Sequence, residues 1–238
     1  MRQINIEGTI LCKKPYGEGH ELVFIFSKEL GKIKTVAKGS RKIKSKFLGH
    51  LETLNICNFQ LYQSSHSLLI TECNTIQPFK FDKLSHLHTN YALKIANFLM
   101  RTLAEEQADI VLYKKVKSAI NNFTQSDKPL IEYLQLCIYI IDQLGFYSDF
   151  TNTCPTCHSN ISAESPFYLM KGDIIICEKC TNRGPIDATI PGKYRKFLNH
   201  LNEISTQNKD RLKINEEERF YLEKLIEAFF GHYSSSFN

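Results

Sequence analysis

Apolar residues in the first 80 positions recur with a period of two. Ile4, Ile6 and Ile10 fall on even positions, and Glu21–Ser27 (ELVFIFS) is β-rich and almost wholly apolar. Lys32–Ala37 (KIKTVA) alternates, with Ile33 and Thr35 opposite Lys32, Lys34 and Val36. Leu51–Gln63 and Ser67–Ile76 are two further alternating segments, and Gly17, Gly19 and Gly31 mark the earlier turns. Successive strand side chains point to opposite faces, so this pattern predicts five half-buried strands. Five strands in about 75 residues fit a small closed barrel, with an OB-fold first and an SH3-like barrel as the alternative. Lys38–Lys46 then becomes the connection between the third and fourth strands.

From about Ser85 the period becomes helical. Leu84, Leu87, Tyr91, Ile95, Phe98 and Leu99 line one face, and Val111, Val116, Ile120 and Phe123 line a second helix. A third carries Leu130, Leu134, Cys137, Ile138 and Ile141, with Asp127 before it, Pro129 in its first turn and Gly145 at its end. These residues are where a helix takes a cap, a proline and a stop. A fourth helix starts near Pro191 with Tyr194, Phe197, Leu198 and Leu201. The last opens with Asn215 and Glu218 in capping-box spacing and is expected to stop at Gly231. The expected organisation is multidomain: an all-β OB-fold barrel over 1–80, then a helical bundle around one core over 81–238, with an insertion at 152–184.

Charge is placed unevenly. Residues 1–80 hold 12 Lys+Arg and 6 Asp+Glu, a balance of +6, whereas 81–238 hold 18 and 19, a balance of −1. Lys28–Lys46 alone contains eight basic residues and one acid, Glu29. A one-signed patch on one domain predicts a polyanionic partner, and the plain alternative is a solvated loop. On this reading Lys34, Lys38, Arg41, Lys42, Lys44 and Lys46 track a phosphate backbone, and Gly39 lets the chain turn. Phe47 and Tyr62 are the aromatic candidates for base stacking, while Phe24 and Phe26 are expected in the barrel core.

The insertion carries Cys154-Pro-Thr-Cys157 and Cys177-Glu-Lys-Cys180, a C-x2-C-x19-C-x2-C pattern. Two such knuckles converge four thiolates on one Zn²⁺, and four protein ligands leave no position for water, so the metal is expected to be structural. Lys171-Gly172-Asp173 is a candidate hairpin turn between Phe167–Met170 and Ile174–Ile176 that brings the second knuckle back to the first. The string Cys154-x-x-Cys157-His158 also matches haem attachment, but that leaves the second pair unused, and a thioredoxin-type dithiol needs a βαβ context. Cys12, Cys57, Cys73 and Cys137 lie in strand or helix patterns and read as small hydrophobes.

The sequence lacks a P-loop, a G-x-G-x-x-G and a G-x-S-x-G string. His50-Leu51-Glu52 matches half of a zinc-deaminase signature, but Cys154 follows Thr153 instead of Pro and four Cys close the metal. His20, His66, His86 and His88 form no ligand-spaced set with a carboxylate, so the chain reads as a non-enzyme. No apolar run reaches the roughly 18 residues of a membrane span. The opening MRQINIEG has no apolar signal segment, which predicts a cytoplasmic, reducing location and no membrane partner.

Gly8-Thr9-Ile10-Leu11, Tyr16-Gly17-Glu18, Leu22–Ser27, Leu30-Gly31-Lys32 and above all Val36-Ala37-Lys38-Gly39-Ser40-Arg41-Lys42 with Lys44-Ser45-Lys46-Phe47 resemble the bacterial RecO family. The resemblance continues through Gln143-Leu144-Gly145-Phe146 and both cysteine knuckles, in order along both domains. It implies single-stranded DNA binding, duplex DNA as a second ligand, and annealing without nucleotide hydrolysis in a nucleoid-associated mediator. RecR and the single-strand-binding protein are the implied partners in loading RecA. The acidic, hydrophobic-ended tail of the single-strand-binding protein would meet the helical domain, with Lys114, Lys115, Lys117, Lys193, Arg195 and Lys196 as candidates. Two departures stand out: Tyr139-Ile140-Ile141-Asp142 replaces a Phe-Glu pair, and His158 replaces the usual Gly after the first knuckle. The competing readings are an RNA-binding or ribosome-associated OB-fold/zinc-ribbon factor and a scaffold for an acidic protein tail.

Overall fold

The computed structural model describes residues 2–64, 67–145, 153–154, 156–162, 164–170, 176–203 and 212–235. The chain divides into two compact units, Met1–Pro129 and Leu130–Asn238.

In the first unit β1 (Arg2–Tyr16), β2 (His20–Ser27), β3 (Gly31–Ala37), β4 (Ile56–Gln63) and β5 (Leu68–Gln77) close a barrel in the order β1-β2-β3-β5-β4. β1 is long enough to serve two partners: Gly8–Tyr16 pairs with β2 and Arg2–Thr9 with β4. The parallel pairing of Thr35 with Leu68 and Val36 with Leu69 completes the closure. This is the five-stranded OB-fold, and it sets the SH3-like alternative aside. Gly8 sits where β1 changes partner; a Cβ there would lie 2.5 Å from Ile25 Cγ2, so only glycine admits the crossing. A bulge between Ile10 and Cys12 lets Ile10 and Leu11 both be buried, which strict alternation would forbid.

Ile6, Ile10, Val23, Ile25, Ile33, Phe59, Leu61 and Ile70 fill the interior. Phe24 and Phe26 are buried, but they alternate with Val23 and Ile25 and so lie on the outside of the wall. Phe26 packs on Tyr113 of α2 (Ile110–Phe123), ring centres 5.7 Å apart, which corrects the expectation that it fills the barrel. The expected strand from Leu51 is also shortened. Residues 47–55 run as successive turns, with Phe47 and Leu51 in the barrel interior and Leu54 buried in a left-handed conformation (φ 65°).

The outer wall is tied to its helices by polar contacts. Lys32, on the outer face of β3, is buried and donates from Nζ to Met100 O at 2.9 Å near the end of α1 (His86–Thr102). Burial, partly offset by Glu105, lowers the Lys32 pKa from its ordinary value. Glu7 on β1 accepts from Lys117 Nζ at 2.6 Å and from Tyr113 OH at 3.1 Å. Partial burial opposes the Glu7 charge, but these two donors outweigh it and hold the carboxyl below its ordinary 4.5. A depressed carboxyl stabilises the fold fully above its unfolded pKa and loses that contribution as pH falls through the folded value. Glu7→Gln should therefore destabilise unit 1 by about 1–2 kcal/mol at pH 7. In denaturant titrations, the gap from the parent protein should close once the pH is well below 4.5.

Helical caps follow the sequence. Ser85 accepts from His88 N at the start of α1, and Asp109 accepts from Leu112 N at the start of α2. Leu87 and Val111, expected on the buried faces, are 46% and 68% exposed. Ala92 and Ala96 take the buried positions in α1, and Tyr113 joins Val116, Ile120 and Phe123 in α2. α1 and α2 fold with the barrel, so the helices expected around one core are divided between two units.

The second unit contains α3 (Pro129–Gln143) from its second residue on, β6 (Phe167–Met170), β7 (Ile186–Ile190), α4 (Gly192–Glu203) and α5 (Glu216–Ser235). α3 is buried nearly all round, with Ile131, Tyr133, Leu134, Leu136, Cys137, Ile138, Ile140 and Ile141 covered, as befits a central helix. Gln135 Nε2 donates to Leu201 O at 3.1 Å, fixing α3 against α4, and Tyr194 stacks on Tyr221 at 5.0 Å between α4 and α5. The capping box at α5 forms reciprocally: Asn215 N donates to Glu218 Oε2 at 3.0 Å and Glu218 N to Asn215 Oδ1 at 2.8 Å. The helix runs through Gly231 to Ser235, because one glycine in a helix interior costs only about 1 kcal/mol.

Candidate nucleic-acid interface and metal centre

The basic connection leaves β3 at Ala37 and is held at several backbone points. Gly39 takes φ 73°, and its N–H donates to His20 Nδ1 at 2.9 Å, while Arg41 N donates to Gly19 O at 3.2 Å. These contacts tie the connection to the β1–β2 turn. Lys42 N donates to Gly39 O, Ser45 N to Lys42 O and Leu48 N to Ser45 O, an unbroken chain of turns. Ser40, buried, donates its hydroxyl to Ala37 O at one end, and Phe47 plugs the barrel at the other. Lys38, Arg41, Lys42, Lys44 and Lys46 are all exposed between these anchors. Lys34 is exposed on the outer face of β3, between buried Ile33 and buried Thr35.

The stacking expectation changes. Phe47 is 4% exposed and its ring belongs to the barrel core, with Lys46 Nζ 5.5 Å from the ring centre, so it cannot stack on a base. Its place between Lys46 and Leu48 gave no sign of this, because a core plug inside a loop has no periodicity to betray it. Tyr62 alternates with buried Leu61 and is half-buried on the outer wall. Sequence reasoning also missed His20 as the acceptor that fixes Gly39, and the exposure of Ile43 and Leu48 in the basic loop. The outer faces of β1, β4 and β5 carry Asn5, Glu7, Asn58, Gln60, Glu72 and Asn74 along a groove of about 480 Å³, where Lys28 is the one cation in the lining and stands beside Glu7, Glu29 and Glu72.

In the second unit Cys154, Cys157, Cys177 and Cys180 bring their sulfurs within 4.8 Å of one another, the metal-competent cluster found among the described residues. Cys154 and Cys180 Sγ are 4.0 Å apart, and Cys157 and Cys177 Sγ 3.6 Å. A tetrahedron of Zn–S bonds of about 2.3 Å has edges of about 3.8 Å, so the donor set fits a tetrahedral ion. Cys177 N donates to Cys154 Sγ at 3.5 Å, and His158 N to Cys154 O at 2.8 Å, which closes the first knuckle. His158 pays for that closure with φ 56°, the conformation that favours glycine. The Ser159 hydroxyl, 2.8 Å from the exposed Cys157 sulfur, leads the contacts that lower its pKa to about 6. Desolvation leads the causes that push Cys180 up to about 12, followed by the neighbouring thiols. Burial works against ionisation of Cys154, but the backbone N–H groups of Cys177, Cys157 and Thr156 outweigh it and lower its pKa.

Tyr168 and Ile176 exchange both backbone hydrogen bonds, at 3.2 and 2.9 Å, bringing the second knuckle back as expected. The Lys171-Gly172-Asp173 turn and Ile174 lie outside the described residues. β6 has a second partner that the sequence did not announce, β7, with Phe167 opposite Ile190. The haem reading leaves two of the four clustered sulfurs unexplained. His50 Nδ1 is 2.9 Å from Thr75 Oγ1, and Glu52 pairs with Lys13 at 2.9 Å, so the deaminase-like string is absorbed by barrel contacts.

The family model described as Recombination protein O N terminal matches residues 1–79, and that described as Recombination protein O C terminal matches residues 87–236. The chain belongs to the RecO family. Among similar curated proteins are three named DNA repair protein RecO. The one from Oceanobacillus iheyensis is 26% identical over 231 residues, covering 96% of this chain and 87% of the relative. The one from Dehalococcoides mccartyi (strain CBDB1) is 27% identical over 222 residues, covering 93% and 87%. The one from Thermodesulfovibrio yellowstonii is 27% identical over 232 residues, covering 93% and 89%. The first RecO match ends just after β5, and the second begins at the start of α1.

The six lysines and arginines considered for a protein partner fall in both units. Lys117 is engaged by Glu7, Lys196 pairs with Glu164 at 3.2 Å, and Lys193 Nζ lies 4.8 Å from the Tyr194 ring centre. Lys114 and Lys115 are exposed on α2, and the side chain of Arg195 lies outside the described residues. Cys57, Cys73 and Cys137 are buried and Cys12 is half-buried. No helix among the described residues is long and apolar enough to cross a membrane.

Proposed function

We propose that this RecO-family chain is a non-enzymatic recombination mediator. It binds single-stranded DNA, and duplex DNA as a second ligand, through Lys34, Lys38, Arg41, Lys42, Lys44 and Lys46, and it anneals complementary strands without ATP. The observation that carries this reading is the row of exposed cations on a loop pinned at both ends to an OB barrel. A phosphate backbone needs fixed positive charge along its path, and pinning lowers the ordering cost of binding. Neutralising two strands on one protein also removes the repulsion that slows their pairing.

The barrel of residues 1–80 supplies the DNA-binding surface, the helices of 81–238, divided between the two units, supply the partner-binding surface, and 152–184 is a module closed by one structural Zn²⁺ on Cys154, Cys157, Cys177 and Cys180. Membership of the family supports RecR and the single-strand-binding protein as partners in RecA loading, and action on DNA implies a cytoplasmic, nucleoid-associated location. On α4 and α5, Lys193, Tyr194, Phe197, Glu218 and Leu222 line a groove of about 110 Å³. That is room for one apolar side chain beside a cation, as the hydrophobic end of an acidic tail requires.

The test is annealing of two complementary oligonucleotides without nucleotide, followed by loss of single-strand signal. The protein should accelerate it, and a protein that binds neither strand and leaves the rate unchanged would refute the mediator reading.

A further inference from the structure

The basic loop exposes more than charge. Ile43, between Lys42 and Lys44, is 94% exposed, and Leu48 is 73% exposed just beyond Phe47. Such exposure is not the fraying of a loose end. The loop is anchored by Ser40 and Phe47, and Ser45 N donates to Lys42 O at 2.9 Å, closing the turn that contains Ile43. An isoleucine held fully in water by a pinned backbone gains strongly from any apolar surface brought against it. Its immediate neighbours dictate what that surface is attached to, because a cation stands on each side in sequence. In a single-stranded nucleic acid, apolar base faces alternate with phosphates, which matches Lys42-Ile43-Lys44 in both chemistry and order.

We propose that Ile43 is a wedge that inserts between adjacent bases of the strand whose phosphates Lys42 and Lys44 hold, unstacking one step. Aliphatic side chains act in this way where proteins part base steps in duplexes. Insertion would hold the strand open and presented, which suits pairing with a complement. This rests on the DNA-binding reading above and adds a base contact to it, with Leu48 as a second apolar contact on the same loop.

The experiment uses the full chain and oligothymidylate strands carrying one 2-aminopurine flanked by adenines, with affinity measured by anisotropy across a salt series. Binding of the parent protein should raise 2-aminopurine emission as the base is unstacked. Ile43→Ser should weaken binding about tenfold at every salt concentration, equivalent to about 1.4 kcal/mol. It should also abolish the emission rise at saturation and leave the salt slope unchanged, while Ile43→Met should restore both signals. Lys42→Ala/Lys44→Ala should do the converse, flattening the slope while keeping the emission rise at saturation. If the parent binds but Ile43→Ser matches it in affinity and emission, the wedge is wrong and the phosphate track stands. If Ile43→Ser instead loses only binding to anionic phospholipid vesicles, the wedge is overturned in favour of a membrane contact. If the parent protein binds no oligonucleotide, the DNA reading fails and the wedge with it.

Discussion

Cys177→Ser is expected to empty the metal site and unfold the module around it. Structural zinc in small Cys sites is worth about 10–16 kcal/mol near neutral pH, as much as the whole stability of many domains. Among the described residues around the cysteines, only a few large apolar side chains are buried, Ile161, Phe167, Leu169, Ile176 and Ile190, too few to replace it. Metal analysis should show loss of zinc, and the Ile176 amide, bonded to Tyr168 O at 2.9 Å, should lose its protection from hydrogen exchange. A chelator added to the parent protein should reproduce the change. Cys57→Ser is the control: Cys57 is buried in the barrel wall and should leave zinc in place. Full occupancy in Cys154→Ser/Cys177→Ser would remove these cysteines from the metal.

Replacing Arg41, Lys42 and Lys44 together by Ala should weaken DNA binding for every sequence alike. Each phosphate contact on a single strand contributes about 0.7 to the slope of log K against log salt, so six contacts give about −4, and losing three makes it shallower by about 2. Where these contacts act through counterion release alone, the two lines meet at about 1 M, and the same difference is about a hundredfold in affinity at about 0.1 M. Annealing should slow with it, while zinc content and helicity stay unchanged, since all three side chains are exposed and none is needed by the core. A salt slope equal to that of the parent protein would place the DNA path elsewhere on the molecule.

The two sites differ in how openly the sequence declared them. The clustering of Cys154, Cys157, Cys177 and Cys180 was legible from spacing alone, because each C-x2-C knuckle fixes the local geometry of its own pair of thiols. The strain at His158, φ 56°, was not legible in the spacing, because it arises only when the first knuckle closes through His158 N and Cys154 O. The basic track was legible as charge, yet its aromatic partner was misread: Phe47 faces the interior. Ile43 drew no notice, because exposure is a property of what fails to pack against a residue, and a sequence lists no such absences.

By itself, then, the sequence determined whatever depends on near neighbours. The alternation of β1 to β5, the turn glycines, the Asn215–Glu218 box and the cysteine knuckles all follow from local geometry and hydrogen bonding. The tertiary structure decided which of two apolar faces was inside and which elements came together. ELVFIFS announced burial on both faces, but only the packing of α2 sends Phe26 outward to Tyr113 while Val23 and Ile25 turn in. Likewise β7 joins β6, Leu51 leaves the expected strand to plug the barrel, and Leu87 and Val111 yield their places to Ala92, Ala96 and Tyr113. The physical reason is common to all of them. Periodicity records that a face is apolar, whereas burial free energy is realised only against the particular surface that covers it.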